Sequence, residues 1–262
     1  MPLSGSFGAL LLRGLLAGLI AGLLAGVVGN FVGEPKVDAA IAIEEAAATH
    51  EHGGGHSHGE DAGHSHDPDE AVVSRPWQKF GQFLANALAG MAFGALVATA
   101  AHYARRHTAL PGPRLVLGLG LGGWLAVVLV PFFKYPANPP AVGDPETINE
   151  RTLLWVAAVV LGLIALAAAG YVWNLLRAQL ETVRLVAAVA AFALIVTLGY
   201  VLLPGVNEVG ADFPATLLWE FRTASLAVST TLWVSIGLAF GALTEWSTRR
   251  STPVTEAAAA AG

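Results

Sequence analysis

Histidines are concentrated in one short stretch of this chain. Six of its 8 histidines lie within residues 50–66, where Glu, Asp, Gly and Ser separate them. They form three His-x-His pairs: His50 and His52, His56 and His58, His64 and His66. Neutral imidazole is a good ligand for divalent cobalt, nickel, copper and zinc, and the interleaved carboxylates add attraction for cations. The residue types and their spacing therefore predict metal binding by this stretch.

The composition of this stretch also limits what it can do. Glycine and serine between the pairs make the backbone flexible, so we do not expect a rigid, selective coordination site. Raw affinity ranks copper and nickel above cobalt, and the identity of the metal therefore does not follow from the ligands. The alternative is a solvated low-complexity linker with no defined role.

Further oxygen ligands lie just after apolar segments. Glu34 and Asp38 directly follow the first such segment, and Asn138 and Asn207 lie in two connections that contain proline. Carboxylate and carbonyl oxygens bind divalent cations, and acidic connections concentrate cations near a surface. Solvated polar residues are the common alternative for charged groups. We favour a functional role for Glu34 and Asp38 because of their position.

Six long apolar stretches separate these polar groups. A membrane helix needs roughly 20 mostly apolar residues to cross a core of about 30 Å. Six stretches meet this length, at approximately 7–32, 80–101, 115–133, 152–173, 185–203 and 223–243. Only 13% of the residues are charged, about half the share in a soluble domain. We predict an all-α, polytopic membrane helix bundle with about six transmembrane helices.

The first apolar stretch has two further properties. It is longer than the apolar region of a typical signal peptide, and no convincing small-residue cleavage site follows it, so we expect a retained helix. Glycine recurs at every fourth position, at Gly14, Gly18, Gly22 and Gly26. This spacing places the glycines on one helix face, which another helix can approach closely. We predict a packing face there; general glycine richness of the chain is the alternative.

The connections between the stretches alternate in charge. The short, basic set holds Arg105, Arg106, Arg114, Arg177, Arg184, Arg249 and Arg250, with Arg13 on the same side. Most of the acidic residues lie in the opposite set. The positive-inside rule therefore predicts that both termini are cytoplasmic. We predict a single membrane domain over 1–250 with a histidine-rich extracytoplasmic loop at 47–72, followed by a disordered tail at 251–262.

Several functional classes lack their signatures in this chain. It has no cysteine, and hence no disulfide framework and no thiolate metal site. A phosphate-binding G-x-x-x-x-G-K-[ST] loop and an H-E-x-x-H zinc motif are both missing from the sequence. The sequence also lacks the stripe of basic residues that is typical of nucleic-acid-binding proteins. We predict that the chain is not an enzyme and requires no resident cofactor.

Three strings carry a resemblance to a known family. They are GEPKVDAAIAIEEA from Gly33 to Ala46, VPFFKYPANPPAVGDPETI from Val130 to Ile148, and LLPGVNEVGADFPATLLWEFRTASL from Leu202 to Leu226. Together with the glycine-rich first helix and the histidine-rich loop, they resemble the CbtA-type cobalt transporter subunits of bacteria. The resemblance covers nearly the whole chain, and membrane composition alone does not explain strings of this length.

The resemblance implies a multi-pass protein of the bacterial cytoplasmic (inner) membrane that takes up divalent cobalt and supplies cobalamin synthesis. It also implies a small, single-helix partner subunit that contains histidines. On this interpretation the six loop histidines capture the metal, and Glu34, Asp38, Asn138 and Asn207 form the mouth of the pathway. Two alternatives remain: a nickel or zinc transporter of the same architecture, and a membrane metal sensor or buffer that does not transport.

Overall fold

The part of the protein that its computed structural model describes, residues 3–51 and 74–251, consists of helices joined by short connections. The helices are α1 (Phe7–Val28), α2 (Glu34–Glu51), α3 (Arg75–Ala104), α4 (Gly112–Trp124), α5 (Val130–Lys134), α6 (Ile148–Leu175), α7 (Glu181–Leu202) and α8 (Ala215–Ser251). π-Helical turns at Gly29–Gly33 and Leu125–Leu129 join α1 to α2 and α4 to α5, and a 3₁₀ turn at Pro145–Thr147 precedes α6.

Six of the resulting continuous helical segments are long and apolar enough to span a membrane, which confirms the predicted fold class and number of spans. The first segment runs over 40 residues from Phe7 to Ala46. At about 1.5 Å per residue it is about 60 Å long, twice the thickness of the hydrocarbon core. Its second half therefore extends well beyond the bilayer.

The region after Gly33 differs from the sequence-based expectation. We predicted that the first apolar stretch ends near residue 32, but the helix continues through the π-helical turn at Gly29–Gly33 into Glu34–Glu51. The first part of the predicted 47–72 loop, through Glu51, is therefore helical as well. The rest of that loop and residues 252–262 of the predicted tail lie outside the described residues.

The predicted glycine face of α1 is confirmed as a helix–helix contact with α3. A Cβ on Gly14 would lie 2.6 Å from Cβ of Ala98, and a Cβ on Gly18 would overlap the carbonyl of Gly90. The contact is reciprocal, because a Cβ on Gly94 would overlap the backbone of Gly14. The two backbones therefore touch over several turns, which is the close packing that small residues allow in membranes.

A core of four spans holds the bundle together. The segments that contain α1, α3, α4 and α8 pack around a shared apolar cluster. Leu10, Val116, Ile236 and Phe240 are fully buried there. α6 packs against the π-helical turn of the third span, and α7 packs mainly on α6. These last two helices therefore form a hairpin at the side of the core.

The connections cluster at two ends of the bundle. At one end Gly112 packs against Leu3 and Thr244, and Arg105 donates to the carbonyl oxygens of Leu3 and Gly5. We call this the termini end. The opposite end, which holds α2, the start of α3, and the connections 135–147 and 203–214, is called the histidine-loop end.

Candidate functional site

The predicted capture histidines lie, in the sequence, at the end of α2 and between α2 and α3. α2 ends at Glu51 and α3 begins at Arg75, so both helices reach this end of the bundle. His50 lies within α2. The other five, His52, His56, His58, His64 and His66, lie outside the described residues.

Glu34 and Asp38 lie one turn apart on α2 and face the start of α3. Residues four apart share a helix face, and both carboxylates contact Arg75, at 2.8 Å for Glu34. Lys79, one turn further along α3, lies 3.8 Å from Glu34 and 4.0 Å from Asp38. Glu34 is only 8% exposed. The first pair of predicted mouth residues is therefore a neutral group of two carboxylates and two cations.

A second ion pair ties α2 to the opposite side of the core. Nζ of Lys36 donates to a carboxylate oxygen of Glu220 on α8 at 2.6 Å. α2 is thus held to α3 by Glu34 and Asp38 and to α8 by Lys36. A metal ion that binds these carboxylates therefore competes with Arg75 and Lys79 for them.

Asn138 and Asn207 lie elsewhere at the same end, in the wall of one cavity. This cavity has a volume of about 1070 Å³ and lies between the 135–147 connection, the start of α6, the 203–214 connection and the start of α8. Tyr135, Trp155 and Leu218 contribute to its wall, as do Arg151, Glu208 and Arg222. The tertiary structure therefore brings together two asparagines that are far apart in the sequence.

Glu208 joins the two connections that form the cavity. Its carboxylate accepts hydrogen bonds from the Thr147 hydroxyl at 2.6 Å and from the Asp144 backbone N–H at 3.2 Å. It also pairs with Arg151 at 3.1 Å. Gly143 adopts φ +119°, and a Cβ there would lie 3.0 Å from the Glu208 carboxylate. The left-handed backbone of Gly143 thus lets the 135–147 connection pack closely on this network.

Arg222 holds the other side of the cavity. It donates to Oδ1 of Asn138 at 2.9 Å and to the carbonyl oxygen of Ala137 at 3.4 Å. The amide oxygen of Asn207 accepts from the backbone N–H of Val209 at 3.4 Å. Both asparagine oxygens that we predicted as cation ligands are therefore already engaged.

The four predicted mouth residues thus form two separate pairs. Glu34 and Asp38 do not line the cavity that contains Asn138 and Asn207. Within residues 3–51 and 74–251, no group of three or more His, Asp or Glu side chains could hold a metal ion. If metal binding needs more ligands, they have to come from outside these ranges, from a partner subunit, or from a rearrangement of the ion pairs.

The basic partners of these groups were not among the residues predicted from the sequence. Arg75 and Lys79 neutralise the α2 carboxylates, and Arg151 and Arg222 line the cavity. A signal for the second pair was present, because Arg151–Thr152 and Arg222–Thr223 both occur near the start of an apolar stretch that follows a proline-containing connection. The first pair had no such signal, because α2 and α3 are separated by the histidine-rich segment.

The comparisons with known proteins agree with the fold and its spans. The family model described as "Probable cobalt transporter subunit (CbtA)" matches residues 7–245. Neither a curated protein nor a solved structure matches the chain. The family match begins at the first residue of α1 and ends within α8, and so includes all six spans, the α2 carboxylates and the cavity. The chain therefore belongs to the CbtA family, whose members are described as probable cobalt transporter subunits, and is a multi-pass membrane protein.

Proposed function

We propose that this chain is the membrane subunit through which divalent cobalt enters the cell, where it supplies cobalamin synthesis. The observation that carries the proposal is the family match over residues 7–245, together with the position of the histidine-rich segment. In the sequence this segment leads from α2 to the start of α3, where Arg75 contacts Glu34 and Asp38. The residue types that favour metal binding are thus followed directly by the helix start that pairs with these carboxylates.

In the proposed route, the six histidines capture the metal and the α2 carboxylates receive it. Glu34 and Asp38 are suited to this step because a divalent cation can replace the single charges of Arg75 and Lys79. The two amide oxygens of Asn138 and Asn207 are engaged with Arg222 and Val209. We therefore propose these asparagines as polar groups at the mouth, and assign direct metal contact to the carboxylates.

The proposed orientation places the histidine-loop end outside the cytoplasmic membrane and both termini in the cytoplasm. It is supported by the basic residues at the termini end, where Arg13 donates to the carbonyl oxygen of Ser4 and Arg105 donates to those of Leu3 and Gly5. Positive charge in short connections favours the cytoplasmic side. Cysteine labelling of single-cysteine variants at Ser4 and Asp212 would test the orientation, because the chain has no native cysteine.

The central experiment measures uptake of radioactive cobalt by cells that express the chain, with and without the small histidine-containing partner. Accumulation above an empty vector is expected, and its absence in both cases would refute the proposed transport. Unlabelled nickel and zinc as competitors distinguish a transporter for those metals. Saturable metal binding by purified protein without any flux would instead indicate a sensor or buffer.

The first prediction concerns the histidine-rich segment. Deletion of residues 50–66 should leave cobalt uptake in place but raise the half-saturating cobalt concentration by roughly threefold to tenfold, because the segment concentrates metal locally without selecting it. A variant that keeps the length and replaces all six histidines with asparagine serves as the matched comparison and should behave like the deletion. Complete loss of uptake in both variants would show that the segment is part of the pathway itself.

The second prediction concerns pH. Imidazole binds metal only when it is neutral, and its pKa is near 6.5, so capture should weaken as the external pH falls from about 7.5 to about 5.5. The half-saturating cobalt concentration of the wild type should rise over this range. The six-asparagine variant should show a much flatter profile. Equal pH dependence in both proteins would assign the titrating groups to another site.

A further inference from the structure

We propose that the cavity beside Asn138 and Asn207 binds an anionic oxygen group, a carboxylate or a phosphate, through Arg222. The inference is independent of metal transport, because it rests on the hydrogen-bond donors and charges of the cavity wall. On this proposal the cavity binds an anion, whereas the α2 carboxylates are proposed to bind a cation.

The charge balance of the wall is the first argument. Arg151 and Arg222 are its two cationic side chains and Glu208 is the acidic one. Glu208 is paired with Arg151 at 3.1 Å. Arg222 has no carboxylate within salt-bridge distance among residues 3–51 and 74–251, and its bonds go to an amide oxygen and a carbonyl oxygen. One full positive charge in a partly buried wall therefore has no counter-ion.

The inventory of donors and acceptors is the second argument. A guanidinium carries five N–H donors, and Arg222 uses two of its nitrogens on Asn138 and Ala137. The Nδ2 groups of Asn138 and Asn207 donate to no residue in the described part of the chain, whereas their oxygens accept. Glu208 already accepts from three groups. Among these four side chains, Arg222 and the two asparagines therefore offer free donors, whereas the Glu208 carboxylate is already engaged.

Such a wall fits an oxyanion and disfavours a bare cation. Oxyanions accept charge-assisted hydrogen bonds, and arginine with neighbouring amide donors matches the geometry of carboxylate and phosphate groups. A divalent cation would meet the uncompensated Arg222 and find both asparagine oxygens engaged. The volume of about 1070 Å³ leaves space for a ligand larger than a single phosphate group.

Two sources can supply this chemistry. Trp155 and Tyr135 line the cavity near the ends of spanning helices, where such aromatic residues meet lipid headgroups. The group is then the phosphate of an anionic lipid. Alternatively, a soluble carboxylate or phosphate enters from the aqueous side. Binding of either ligand requires the guanidinium of Arg222. The experiment distinguishes the two ligands by adding the anion either to the aqueous solution or to the lipid bilayer.

The test measures thermal unfolding of the full chain in nanodiscs of zwitterionic phosphatidylcholine. Citrate and inorganic phosphate are titrated in solution at constant ionic strength, and phosphatidylglycerol is titrated in the lipid. We expect a saturable rise in Tm with at least one of these probes. Arg222→Gln should weaken the apparent affinity about tenfold or more. Arg222→Lys keeps the positive charge but loses the paired N–H donors of the planar guanidinium, and it should give an intermediate affinity.

Arg177→Gln is the matched control, because Arg177 is an exposed arginine at the termini end, and it should respond like the wild type. A response to phosphatidylglycerol alone assigns a lipid headgroup, and a response to citrate or phosphate assigns a soluble ligand. The proposal is overturned if the wild type shows no saturable response to any probe. It is also overturned if Arg222→Gln and Arg222→Lys, each monodisperse by size exclusion, respond as the wild type does.

Discussion

Replacement of Gly18 by leucine should strongly disrupt the packing of α1 on α3. A Cβ at this position would lie 2.6 Å from the carbonyl carbon of Gly90 and 2.9 Å from Cα of Met91. Both contacts are backbone, so no side chain can rotate away, and α1 and α3 have to separate. Separation also removes the contacts of Gly14 and Gly22 with α3, which lie on the same face.

The expected destabilisation is on the order of 3 kcal/mol or more, at the upper end of overpacking effects. It should be measured as a lower Tm and as loss of the monodisperse peak in size-exclusion chromatography of detergent-purified protein. Gly18→Ala should shift Tm in the same direction by a smaller amount, because alanine adds only the first atom of the clash.

Gly8→Leu is the matched control for this prediction. Gly8 lies in the same helix, and a Cβ there has no atom within 4 Å. The control adds the same side chain to α1 without meeting α3, so its Tm should stay close to that of the wild type. Equal Tm and equal yield for Gly18→Leu and Gly8→Leu would show that the α1–α3 contact does not hold the bundle together.

Removal of the Glu208 carboxylate is expected to have the second largest effect. Glu208→Ala deletes the acceptor of Thr147 and Asp144 and the counter-ion of Arg151. Nε of Arg151 is buried without a hydrogen-bond partner in the described chain, so the substitution leaves that guanidinium poorly compensated. Hydrogen bonds to charged groups contribute about 1.5–3 kcal/mol each, and partial exposure of the pair reduces this. We expect a net loss of about 2 kcal/mol.

A comparison of Tm among three variants tests this prediction more sharply than the single value for Glu208→Ala. Glu208→Gln keeps an acceptor for Thr147 and loses the charge, so its Tm should lie between those of the wild type and Glu208→Ala. Glu146→Ala is the control, since Glu146 is an exposed glutamate in the same pair of connections, and its Tm should not change. If Glu146→Ala and Glu208→Ala lower Tm equally, general loss of negative charge would explain both and the network would have no special role.

The polar residues at the histidine-loop end fall into two groups of different net charge, because one group includes Arg75 and Lys79 and the other includes Arg151 and Arg222. Glu34 and Asp38 form a neutral ion-pair cluster, whereas the cavity with Asn138 and Asn207 has a net positive wall. A cation and an anion would therefore bind at different places at this end. This separation is the reason that we propose direct metal contact for the carboxylates and an oxyanion for Arg222.

The sequence by itself determined the spans, the glycine face and the histidine-rich composition of residues 50–66. Each of these depends on residues close together in the chain: an apolar run long enough to cross a bilayer, glycines four residues apart, and three His-x-His pairs. The six spans and the packing of Gly14, Gly18 and Gly22 on α3 agree with those predictions. Each of these features can be recognised from residues that lie close together in the sequence, without knowledge of the rest of the fold.

Only the tertiary structure decided which polar groups meet. The helical continuation through Gly29–Gly33 turns Glu34 and Asp38 toward Arg75, and Glu208 draws two distant connections together around Asn138 and Asn207. Ion pairs and hydrogen bonds of this kind depend on distances between helices, which composition and spacing do not fix. The histidine-rich segment could therefore be recognised from the sequence. The net charge of the Glu34 and Asp38 cluster and that of the cavity wall could not.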